Sequence, residues 1–192
     1  MTCLAAELTA LRAEAAKLDK SFDLIVRFGS EMNDVSGTSY AQDPKDYIEA
    51  FRAVRQLFPP ASAGVRFPFS PALRADIDVA EIARYWPGDD AVDMVGATWF
   101  VHGVDQMKLG FDNVRDYYLE FKSKGKPFSL DEFGGAMGRH RVYAHNDLML
   151  QPMFEQIAAL AEREITFLYA TLFLDESQYG VDATLDFLRP DI

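Results

Sequence analysis

Residues 126–134 read Lys126-Pro127-Phe128-Ser129-Leu130-Asp131-Glu132-Phe133-Gly134. The run from Pro127 to Glu132 is a short strand that ends on a glutamate. An earlier run, Phe22-Asp23-Leu24-Ile25-Val26-Arg27-Phe28, is also strand-like, and Gly29-Ser30-Glu31-Met32-Asn33-Asp34 follows it. It too delivers a glutamate at its end. Between and around these runs, strands and helices alternate. The steps of three and four among Leu4, Leu8, Leu11, Ala15 and Leu18 predict a helix over 4–19. Asp43-Pro44 opens a second helix, with Asp as N-cap and Pro at the first helical position. That helix points Tyr47, Ile48, Phe51, Val54 and Leu57 inward and stops before Pro59-Pro60. Further strands are expected at 65–69, 92–98 and 165–171, and further helices at 78–85, 112–124 and 147–163. This alternation implies a parallel sheet covered by helices, in a single domain over 1–192.

Two architectures compete. Five strands in 192 residues fit a doubly wound open sheet, whereas a (β/α)₈ barrel typically takes about 250 residues. Length favours the open sheet; the strand ends favour the barrel. In parallel α/β folds the site gathers at the carboxyl ends of strands, and two of the five end on Glu31 and Glu132. No Gly-rich phosphate loop and no Gly-x-Ser-x-Gly elbow is present, so a nucleotide cofactor and a serine nucleophile are not expected. Two carboxylic acids at one barrel mouth are what glycoside hydrolysis requires, one protonated to donate and one ionised to attack or to activate water. A glutamate after a strand is otherwise an ordinary solvated loop residue.

Composition narrows the partners. There are 19 basic and 30 acidic residues, a net charge of −11, which disfavours nucleic acid and anionic membrane surfaces. The single cysteine, Cys3, excludes an intrachain disulfide and a cysteine-based zinc site. His102, His140 and His145 lack ligand spacing, so no metal and no cofactor is expected. No apolar run reaches 18 residues, and Glu7, Arg12, Glu14 and Lys17 interrupt any signal-peptide core. Arg27 and Asp131 either orient the carboxylates or form a structural ion pair.

Four segments, in order, resemble glycoside hydrolase family 26, the β-mannanases. Arg27, Glu31, Met32 and Asn33 match an Arg-x-x-His-Glu-Met-Asn-Gly segment. Tyr47-Ile48-Glu49-Ala50-Phe51-Arg52 matches the helix that follows it. Trp86-Pro87-Gly88-Asp89-Asp90 leads into the strand at Val92, and Lys126, Pro127, Glu132 and Gly134 match a Lys-Pro strand ending on Glu-x-Gly. The likeness runs from about residue 22 to 172. It implies a partial (β/α)₈ barrel holding strands four to eight and lacking the N-terminal three, with exposed sheet edges open to self-association or to completion by the missing half. It implies a retaining endo-β-glycanase acting on β-mannan or a related polysaccharide, with Glu31 as acid/base and Glu132 as nucleophile. Arg27, Asn33, Trp99, Phe100, His102 and Tyr169 would contact substrate. Such enzymes are secreted, although no signal peptide is expected in this chain.

The sequence departs from that pattern at several places. Ser30 stands where the family has histidine, and Asp34 where it has glycine. Trp99 and Phe100 lie where a tyrosine hydroxyl would bond the nucleophile, and Tyr169 or Phe173 takes the place of a tryptophan platform. A non-catalytic carbohydrate-binding or structural module built on the same scaffold is the alternative reading.

Overall fold

A computed structural model describes residues 2–17, 24–34, 43–58, 64–73, 77–101, 104–135, 146–163, 165 and 167–172. Helix α1 spans Thr2–Lys17 and strand β1 Leu24–Ile25. Helix α2 (Pro44–Gln56) precedes β2 (Val65–Arg66) and β3 (Pro68–Phe69). Helix α3 (Val79–Ile82) runs into a 3₁₀ turn at Ala83–Tyr85. Then come β4 (Met94–Val95), β5 (Thr98–Val101), α4 (Val104–Phe121), β6 (Phe128–Gly135), α5 (Asn146–Arg163) and β7 (Phe167–Leu172).

Every strand pair is parallel. β2 and β3 are one extended run broken at Phe67, and β4 and β5 are one run broken at Gly96-Ala97. β1 pairs with the β2 part of the second run, β3 with β4, both β4 and β5 with β6, and β6 with β7. Order in space therefore follows order in the chain. A doubly wound sheet reverses direction at a switch point; here the described strands show no reversal, which is the winding of a (β/α)₈ barrel.

The five expected strands are present with shifted bounds, and the one expected to end on Glu132 runs on to Gly135, so Glu132 lies inside it rather than at its end. The strand expected at 92–98 runs on to Val101, and the helix expected from 112 begins at Val104. Gly110 lies inside that helix. A glycine there costs about 1 kcal/mol relative to alanine and weakens the local helical signal. α5 runs through Pro152, at the loss of one rung of its hydrogen-bond ladder.

Helix α2 shows how sequence becomes packing. The Asp43 side chain accepts from the Lys45 backbone N–H at 2.8 Å, and Pro44 occupies the first turn. Tyr47 and Phe51 are buried, one turn apart, and meet Phe67 and Phe69 of the second strand run. Each ring withdrawn from water contributes about 1.5–3 kcal/mol. Leu57, expected to point inward, is exposed at the helix C-cap, and Phe58 is buried instead. Leu11 of α1 is likewise exposed rather than on an apolar face. Arg52, on the outer side of α2, forks onto both carboxylate oxygens of Asp90 at 2.8 and 2.6 Å and donates to the Pro87 carbonyl at 2.7 Å. The Trp86–Asp90 turn is fixed in this way beneath the entry to β4.

Candidate active site

In a regular strand, successive side chains point to opposite faces. Along β6 the helix-facing set is Phe128, Leu130 and Phe133; Phe128 meets Tyr117 and Tyr118 of α4, and Phe133 meets Phe154 of α5. The spacing slips from two to three between Leu130 and Phe133. Pairing shows why. Val95 to Thr98 on one neighbour spans three steps, against four from Phe128 to Glu132. Ala170 to Leu172 on the other spans two, against three from Leu130 to Phe133. β6 thus carries one extra residue, a β-bulge, and a bulge re-aims side chains. Asp131 and Glu132, adjacent in sequence, both reach inward to Arg27.

Arg27 lies just beyond β1, and its guanidinium is held from several strands. Nη1 donates to Glu132 Oε1. Nη2 donates to Thr98 Oγ1 at 3.3 Å and, at the long limit, to Ser70 Oγ at 3.5 Å. Nε is 3.7 Å from Asp131 Oδ2. Of the two sequence-level readings of Arg27 and Asp131, the geometry contains elements of both: an ion pair, and a cation that touches Glu132.

Asp131 is fully buried. Its Oδ1 accepts from Ser129 Oγ at 2.7 Å and from Tyr169 Oη at 2.6 Å. Room for it comes from Gly96, where an added Cβ would stand 2.0 Å from Oδ2. The Gly96 carbonyl in turn accepts from the buried Tyr117 hydroxyl at 2.9 Å.

Burial raises the Tyr117 phenol well above its ordinary value of 10.0, and the Asp131 charge adds to this. Burial, then the hydrogen bond to Asp131, raises Tyr169 as well. The unfolded phenols ionise near pH 10 while the folded ones keep their protons. The stability they contribute is complete below that pH and is lost as pH rises above it. Between pH 10 and 11, Tyr117 is expected to withdraw up to about 1.4 kcal/mol. Urea midpoints of wild type and Tyr117→Phe at pH 9, 10 and 11 test this; the variant should show the flatter decline.

Glu31 lies after β1 at φ 61, the one non-glycine residue at positive φ among the described residues. Its N–H donates to the Ser70 carbonyl at 2.8 Å, which holds the turn in place. The left-handed region costs a residue with a Cβ about 1–2 kcal/mol, and such strain collects at functional sites. Glu31→Gly should therefore be more stable than Glu31→Ala by about 1 kcal/mol, the reverse of the usual order, as chemical denaturation would show.

The remaining expected contacts divide. Asn33 meets the Ala72 backbone with both ends of its amide: Nδ2 donates to the carbonyl at 2.9 Å, and Oδ1 accepts from the N–H at 2.8 Å. It ties the Glu31 turn to the end of the second strand run. Trp99 is fully buried, on the face opposite Thr98, near Phe111 of α4; it has no free face for a sugar. Phe100 shares the inner face with Thr98 and is half-buried, and Tyr169 is half-buried. His102 lies outside the described residues. Sequence reasoning missed Ser70, Thr98, Ser129 and Gly96. The slip in apolar spacing after Leu130 is the one signal that could have shown Asp131 and Glu132 on the same face.

Arg27 thus fixes the Glu132 carboxylate on the inner face of a parallel strand, with two hydroxyls, Thr98 and Ser70, on the same guanidinium. Among the described residues no group of His, Cys, Asp or Glu is arranged to hold a metal ion, and no helix is long and apolar enough to cross a membrane.

No protein-family model matches the sequence, and no curated protein matches it. Solved structures do. A family 26 β-mannanase from Bacteroides ovatus matches with a TM-score of 0.65 and 18% identity, over 87% of this chain and 49% of that one. The catalytic domain of a family 26 endo-β-1,4-mannanase from Bacillus sp. JAMB-750 gives 0.60 and 18%, over 88% and 47%. A double mutant of an endo-β-1,4-mannanase from Cellulomonas fimi gives 0.59 and 19%, over 89% and 41%. The chain spans about half the length of these structures. Over most of its own length it has their α/β fold, a partial (β/α)₈ barrel like those of the family 26 β-mannanases.

Proposed function

We propose that the chain is the catalytic portion of a retaining endo-β-glycanase of the β-mannanase kind. The observation that carries this reading is Glu132, which the bulge in β6 turns inward, in the second half of the strand, onto the Arg27 guanidinium. In this reading the five strands take the places of strands four to eight. The first three come from further residues of a longer protein or from another chain at the exposed β1 edge.

The mechanism follows from the two carboxyls. The Glu132 carboxylate attacks the anomeric carbon while Glu31 gives its proton to the leaving glycosidic oxygen. The C–O bond breaks and a glycosyl ester forms on Glu132. Glu31, now ionised, takes a proton from water, whose oxygen attacks the same carbon and frees Glu132. Arg27 orients Glu132 through its Nη1 hydrogen bond, and Phe100 offers a ring to an apolar sugar face. The net negative charge favours a neutral polysaccharide over an anionic one.

The test is reducing-sugar release from β-mannan, mixed-linkage β-glucan and xylan, together with incubation with a 2-deoxy-2-fluoro glycoside that traps the ester. Release on β-mannan, with the mass increment on the peptide carrying Glu132, is the expected result. Release with the label elsewhere overturns the nucleophile assignment. A folded chain that binds mannan and releases nothing is instead a carbohydrate-binding module.

A further inference from the structure

Tyr169 is connected to Glu132 through three consecutive polar contacts. Its hydroxyl and that of Ser129 both donate to Asp131 Oδ1, at 2.6 and 2.7 Å. Two donors on one oxygen fix the plane of the carboxylate. Oδ2 is thereby left facing Arg27 Nε at 3.7 Å, a charge contact longer than a hydrogen bond; among the described residues neither Oδ2 nor Nε has a hydrogen-bond partner. Asp131 is 3% exposed, so this interaction is little screened. Arg27 is therefore shared: Nη1 belongs to Glu132 and Nε to Asp131.

We infer that Tyr169 and Asp131 form a positioning pair for Glu132, acting through Arg27 and not by contact with substrate. The inference rests on the reading of Glu132 as nucleophile. Its physical content is a competition. One guanidinium serves two carboxylates, and the share that Glu132 receives depends on how well Asp131 is satisfied by other donors. Remove the Tyr169 hydroxyl, and Asp131 rotates toward Arg27 Nε to replace the lost bond. The guanidinium then turns about its Nε–Cζ bond, and Nη1 leaves the line to Glu132. Remove the Asp131 charge, and Arg27 belongs to Glu132 alone.

The experiment uses the full chain labelled with ¹⁵N-arginine and follows the Arg27 side-chain resonances, assigned with Arg27→Lys, alongside kinetics on β-mannan. In the wild type the Arg27 Nη protons should be resolved, because rotation is hindered by partners on both sides. In Tyr169→Phe they should merge, and kcat should fall about tenfold with KM within twofold. In Asp131→Asn, Nε–H should shift while Nη1 stays bonded to Glu132. Ser129→Ala provides a milder second perturbation of the same oxygen if Asp131→Asn does not fold. Unchanged Arg27 resonances in both Tyr169→Phe and Ser129→Ala overturn the positioning pair. A wild type without hydrolysis, but with the expected changes at Arg27, removes the nucleophile reading and leaves the coupling standing as an Arg27-ordering device.

Discussion

Glu132→Gln is expected to lower kcat on β-mannan by about 10³-fold or more, with the protein still folded. An amide at this position cannot form the glycosyl ester, and loss of a nucleophile is among the largest single-residue effects in catalysis. The fold should tolerate the change, because the amide oxygen can still accept from Arg27 Nη1, which now donates to Glu132 Oε1. The pair is also about one-quarter exposed on each side, so water can compensate the lost charge. Circular dichroism should match the wild type, and reducing-sugar release should vanish. An inactive variant that is also unfolded would instead make Glu132 a structural anchor of the barrel interior.

Gly96→Ala should have the largest effect on stability, a loss of about 2–4 kcal/mol measured by urea denaturation. The new Cβ would stand 2.0 Å from Asp131 Oδ2 and 2.7 Å from its Cγ. A side-chain end can often move aside. This one is held by Ser129 and Tyr169 and has no solvent to move into. The backbone at Gly96 is equally constrained, since its carbonyl accepts from the buried Tyr117 hydroxyl and its N–H donates to the Phe69 carbonyl at 2.8 Å. Gly96→Ala combined with Asp131→Gly should regain part of the loss, because the clash disappears; the double variant measures the coupling directly.

Much of the framework was legible. Asp43-Pro44 declared its helix because a side-chain oxygen and a missing N–H both suit a first turn. The two runs that carry Glu31 and Glu132 are, as the alternation implies, strand regions of a parallel fold. What was not legible depends on the neighbouring strands. Trp99 and Phe100 are consecutive and both aromatic, so their order alone does not say which faces inward. Pairing of Thr98 with Glu132 settles it, sending Phe100 inward and Trp99 outward. The resemblance to family 26 places Asn33 at the substrate, in the segment with Glu31. Its amide is bonded to Ala72, which is distant in sequence and cannot be inferred from local pattern. The chain resembles the β-mannanases in separated short motifs, whereas the interior that joins those motifs uses Ser70, Thr98, Ser129 and Asp131, none of which stands out by type.

The extra residue in β6 makes the inner surface a matter of parity. Each position along a strand is even or odd, and only one parity looks inward; the bulge switches the sign between Asp131 and Glu132. Deleting Ser129 or Leu130 would restore strict alternation between Phe128 and Phe133, so the two carboxylates could no longer share a face. The same deletion in an exposed loop would cost almost nothing. The acidic pair therefore depends on a count of residues as well as on their identity.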